Sequence, residues 1–227
     1  MTSTELKDMM RKTKKDVVRI DMVNEPVTIT SSKLGGQPYW STDKVLPENM
    51  LFLAQINFAE VPKTKLLPEK GILQFFIEDE NCFGLFNGEK GYKVIFHENT
   101  DNPCSVTLPD TENTPIIIPA KLKFALDTEM MTYSDYRFPE DIDEIEDIYR
   151  SVEYSGEGSK MLGYPFFTQT DPREYHSEQE KYDTLLFQLD SNDFIMWGDV
   201  GVANFFINEN KLKAGDFSDI LYNWDCC

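Results

Sequence analysis

Residues 31–40, SSKLGGQPYW, return in altered form at residues 158–167 as GSKMLGYPFF, and this recurrence constrains the chain more than any other feature. Ser32, Lys33, Gly36 and Pro38 fall on Ser159, Lys160, Gly163 and Pro165 at a constant offset of 127. Two further blocks follow in the same order. FLAQIN (52–57) matches LLFQLD (185–190) at an offset of 133, and GILQFFI (71–77) matches GVANFFI (201–207) at 130. Three blocks in one order at nearly one offset imply an internal duplication within a single domain, with pseudo-repeat halves at about 1–130 and 131–227. The period far exceeds the roughly 20–50 residues of solenoids and propellers, so two large halves sharing one core are expected rather than an array.

Composition narrows the partners. Forty acidic residues against 22 basic ones give a net charge of -18. Such a field repels nucleic-acid phosphates and anionic membranes and favours basic partners, while also keeping a protein in solution. The N-terminus has no basic start leading into an apolar run, and no apolar stretch approaches about 18 residues. The expectation is a cytosolic protein, neither secreted nor membrane-spanning. Cys82, Cys104, Cys226 and Cys227 form no C-x-x-C pair, so reduced thiols are the default.

Local patterns predict the elements. Leu6, Met9, Thr13, Val17 and Ile20 recur at helical spacing behind a Thr2/Glu5 capping box, which predicts a helix over 4–20. A second helix is predicted over 139–152, opened by Pro139 and an acidic first turn, with Ile142, Ile145, Ile148, Tyr149 and Val152 as its stripe. Strands are expected at 27–30, 50–58, 71–77 and 121–126, with a hairpin region from 83–86 to 92–96. The fold class that results is β-rich α+β, built as two related halves, each a helix followed by antiparallel strands.

Gln55 and Gln188 interrupt apolar runs at matched positions, and a buried amide must be hydrogen-bonded, so each ties backbone together or points into a shared cavity. Interfaces between related halves are common ligand sites. The matched polar residues are therefore the candidates for a binding cleft: Lys33 with Lys160, Gln55 with Gln188, and Asn57 with Asp190. Trp197 and Asp199 join them beside the last matched strand, although Trp197 equally suits a core cap.

Catalytic patterns are absent from the sequence. Its two histidines, His97 and His176, sit in no G-x-S-x-G-type context. The cysteines and histidines lack zinc-ligand spacing, and the glycine-rich turns match no phosphate loop. No cofactor and no metal are expected.

KLGGQPYW, LFLAQINFAEVP, KGILQFFI, SDYRF, WGDVGVANFFI and FSDILYNWDC together resemble the YwqG-like family of uncharacterised, mainly bacterial proteins. The resemblance implies a compact, β-rich α+β fold in a soluble cytosolic protein and brings no assigned catalytic residues. Relatives of that family are also associated with toxin and immunity gene neighbourhoods. The functional expectation is a non-catalytic binding protein whose partner is a basic protein or a small ligand. Two alternatives stand beside it: a hydrolase or transferase using Asp190 or Asp199 at an acidic site between the halves, and an immunity-type inhibitor of a toxin domain.

Overall fold

A computed structural model of the protein describes residues 3–138 and 156–227. The first part holds α1 (Ser3–Lys12), β1 (Lys15–Val23), β2 (Lys33–Leu34), β3 (Met50–Asn57), β4 (Ile72–Glu78), β5 (Tyr92–His97) and β6 (Ala120–Glu129). The second holds β7 (Lys160–Leu162), β8 (Thr184–Asp190), β9 (Val202–Ile207), α2 (Glu209–Lys213) and β10 (Ile220–Asp225). All ten strands belong to one antiparallel sheet, ordered β10-β9-β8-β7-β1-β6-β2-β3-β4-β5, which curls into a nearly closed barrel.

The expected α+β fold of two helix-plus-strand halves is thereby corrected to a β fold. Helix α1 stops where the Thr13 amide and hydroxyl turn back onto the Met10 carbonyl. Residues 15–20, expected to continue the helix, begin β1 instead. Val17, Val18 and Ile20 are β-branched, and the pleated surface between two partners suits them better than a helix does. Strand β1 pairs with β6 from Lys15↔Glu129 to Val23↔Lys121 and with β7 from Val17↔Leu162 to Arg19↔Lys160. The helix expected at 139–152 lies outside the described residues. Residues 27–30 and 83–86 form no strand, whereas the strands expected near 50–58, 71–77, 92–96 and 121–126 are present as β3, β4, β5 and β6.

Pairing follows one rule in two series. Strands β2 to β5 form one meander and β7 to β10 another, while β1 pairs with β7 and β6 with β2, so the strand preceding each meander crosses to the other. Lys33 faces Gln55 and Gln55 faces Gln74; Lys160 faces Gln188 and Gln188 faces Asn204. Both third-strand positions carry a register shift, between Phe52 and Ala54 in β3 and between Leu185 and Phe187 in β8. The extra residue explains the apolar runs. Leu53 and Ala54 both enter the barrel core, as do Leu186 and Phe187, while Phe52 and Leu185 join small clusters on the outer surface.

Aromatic rings fill the barrel. Phe75 lies 4.6 Å from Phe187 and 4.8 Å from Phe205, centroid to centroid, which brings the two meanders face to face. Replacing Phe75 with alanine removes a ring held by both. Phe75→Ala should cost about 3–5 kcal/mol in urea unfolding; a loss below about 1 kcal/mol would show that the meanders do not share one core.

Candidate functional site

The matched polar residues occupy equivalent places, and their polar atoms are committed to the fold. Gln55 accepts the Tyr39 amide at 2.8 Å and donates to the Ile29 and Ser31 carbonyls at 2.9 and 2.8 Å. Gln188 accepts the Phe166 amide at 2.8 Å and donates to the Gly156 and Gly158 carbonyls at 2.9 and 2.8 Å. Each amide substitutes for a strand, holding the segment before and the segment after the Lys…Gly-x-Pro turn. Lys33 donates to the carbonyls of Thr28, Ile29 and Gln37, whereas buried Lys160 donates to both carboxylate oxygens of Glu129 at 3.0 and 3.1 Å. Burial lowers the pKa of both lysines to about 8.

Asn57 and Asp190 are alike in using their amides. The first bonds the Ser32 hydroxyl at 2.8 Å and the second the Ser159 hydroxyl at 3.0 Å. Asn57 also donates to the Thr30 carbonyl, and Asp190 accepts the Gly158 amide at 2.6 Å. Burial raises the Asp190 carboxyl above the usual range. Trp197 packs in the core against Phe83 and Trp224, and Asp199 is exposed. The structure therefore gathers the matched residues into two separate sets, one on each meander, and brings neither set together with Asp199.

One further constellation escaped sequence reasoning. Gln74 donates through its nitrogen to the Tyr39 carbonyl at 2.6 Å, leaving its oxygen to accept from His97 Nε2 at 2.9 Å. His97 Nδ1 is then the acceptor for the Ser41 hydroxyl, also at 2.9 Å. Burial, reinforced by Lys44, depresses the His97 pKa to about 4 and keeps the ring neutral. At the corresponding register position of the other meander stands Asp225, whose carboxylate takes the Thr168 and Gln169 amides. Both arrangements fasten a Tyr-Trp or Phe-Phe segment over the outer surface of the sheet. The missed signal was Ser41, one residue past the matched block.

The other feature is the seam where the barrel fails to close. Among the described residues, strands β5 and β10 are the two edges of the sheet. The Glu78 amide bonds the Gly91 carbonyl at 2.9 Å, and antiparallel alternation then turns Lys93, Ile95 and His97 toward β4 and Tyr92, Val94 and Phe96 outward. By the same reasoning from the Ser191 amide on the Gly201 carbonyl, Ile220, Tyr222 and Trp224 turn their outer backbone away from β9. Side chains seal one end. The Tyr222 hydroxyl donates to the Phe83 carbonyl at 3.0 Å and the Trp224 indole to the Cys82 carbonyl at 2.6 Å. The Tyr92 hydroxyl reaches across to the Ile220 carbonyl.

Beyond that bridge β5 and the segment leading into β10 part around a groove of about 520 Å³. It is lined by residues 92–96 on one side and 215–220 on the other. Phe96 and Phe217, 4.9 Å apart, contribute apolar surface that continues the barrel core. Its mouth carries Lys44, Glu89, Lys93 and Val45, the last 88% exposed. Among the described residues nothing bonds the outward backbone groups of Val94 and Phe96. No group of three or more histidine, cysteine, aspartate or glutamate side chains among those residues could hold a metal ion, and no helix among them is long and apolar enough to cross a membrane.

Comparison with known families adds one match. The model of a family described as a domain of unknown function, DUF1963, covers residues 32–226. No curated protein matches the chain.

Two measurements check the polar framework. Gln188→Leu leaves the Phe166 amide and two glycine carbonyls without their partner, and chemical unfolding should show a loss of about 1–3 kcal/mol. The second concerns pH. His97 has a lower pKa folded than unfolded, so the unfolded chain binds the proton first as pH falls. Melting temperature should therefore decline from about pH 6.5 to about pH 4 more steeply in the parent protein than in His97→Gln; identical profiles would mean that the ring is not buried neutral.

Proposed function

This chain belongs to the DUF1963 family, a domain of unknown function, and we propose from its own geometry that it is a non-catalytic binding protein whose basic protein partner seats in the seam between β5 and β10. The observation that carries this reading is the groove itself, which joins apolar surface from the core to unpaired strand edge at the surface. A volume of about 520 Å³ lies within the range of about 300–1,000 Å³ typical of ligand sites. The net charge of -18 supplies the attraction for a basic partner. In this reading Lys33, Gln55, Asn57, Lys160, Gln188 and Asp190 hold the two meanders in shape around the groove rather than touching the partner. The kinship to YwqG-like bacterial proteins and a cytosolic location belong to the same proposal, both resting on the residue motifs that carry that resemblance.

A displayed random-peptide library panned against the purified chain tests it. Selected peptides should be rich in lysine and arginine, and their affinity should fall about tenfold from low to physiological ionic strength. Ser218 is exposed on the groove wall, so Ser218→Trp should abolish that binding while leaving the melting temperature unchanged. Peptides indifferent to both salt and Ser218→Trp would place the partner elsewhere.

A further inference from the structure

Resting on the binding reading above, we infer that the groove takes an extended segment of the basic partner as an eleventh strand, hydrogen-bonded to the outer edge of β5. Strand addition needs an edge with free backbone groups, a straight register and room beside it. Strand β5 has all three. Its pairing with β4 runs from Ile72↔His97 to Ile77↔Tyr92 without a shift, and it contains no proline to blunt the edge. The groove follows it residue by residue from Tyr92 to Phe96.

Strand β10 is the poorer template. The Ile220 carbonyl already accepts the Tyr92 hydroxyl, and Tyr222 and Trp224 are roofed by the backbone at 82–83. The incoming strand therefore takes its hydrogen bonds from Val94 and Phe96 and leaves the β10 side to side-chain contacts.

The walls also specify the segment. Successive residues of a strand point to opposite faces. One set would meet Val94, Phe96 and Phe217, which asks for apolar side chains; the other would emerge at the mouth, in solvent. The rim itself is mixed, with Lys44 and Lys93 beside Glu89, Asp216 and Asp219. Selection for basic residues on the outward set then comes from the field of the whole chain, not from one contact. About five residues, spanning roughly 16 Å at 3.3 Å each, match the length of the β5 wall.

The test uses a short end-blocked synthetic peptide of alternating lysine and valine with the full-length protein at low ionic strength. Amide exchange at Val94 and Phe96 should slow at least about tenfold on saturation. Methylating the peptide's backbone nitrogens at every second residue should weaken binding about tenfold in one phase and less than about twofold in the other, since only one phase carries the amides that donate to β5. Val94→Pro removes an amide that has no partner among the described residues, so it should weaken binding about tenfold with little change in melting temperature. If that variant does not fold, the two methylated peptides still decide the matter on the unaltered protein. Binding that Ser218→Trp blocks but that ignores the methylation phase overturns strand addition and leaves the seam as the site. Binding that ignores Ser218→Trp, or no binding of this peptide, overturns the seam reading itself.

Discussion

Strand β1 lies against β6 along their shared register and against β7 on its other side, and this pairing turns two meanders into one sheet. The strand before each meander has crossed to the other, so neither meander keeps its own first strand as a neighbour. Separating them would break the central ladder and expose the Phe75, Phe187 and Phe205 cluster together. Antiparallel strands twist as they add, and ten of them coil far enough for β5 to approach β10. The approach is completed at one end by Tyr222, Trp224 and Phe83 and left open at the other.

Short strands β2 and β7 could not hold the chain alone, since they run for only two and three residues. Buried side-chain amides make up the difference. Gln55 and Gln188 each satisfy three backbone groups that no neighbouring strand reaches, and Lys33 and Lys160 do the same work beside them with three carbonyls and one carboxylate. Buried polar groups of this kind are costly when broken, because the partners left behind remain buried. Their positions also fix where the outer clusters around Trp40 and Phe167 sit, and thus which part of the sheet surface stays covered.

Much of this was legible in the residues. The matched blocks mark β2 with β7, β3 with β8 and β4 with β9, and Gln55 and Gln188 were readable as buried amides tying backbone together. The class was not. Leu6 to Ile20 satisfies a helical period, yet its second half is β1, because two strands distant in sequence supply partners that no local pattern reports. The blocks also gave no hint that β1 and β6 exchange sides. The seam was invisible for a related reason: β5 and β10 each end a meander, and that they meet is a property of closure, written in no single stretch. His97 and Ser41 lie 56 positions apart and become neighbours only when β5 folds beneath the segment carrying Tyr39 and Trp40.

A partner strand can add to β5 only if that edge is free in the unbound protein. Residue-resolved hydrogen exchange across β5 tests that most directly. Lys93 and Ile95 bond β4 and should be protected, while Val94 and Phe96 should exchange at least about a hundredfold faster. Equal protection at all four amides would mean that the two edges are zipped together, and a barrel without a seam would have no place for the partner proposed here.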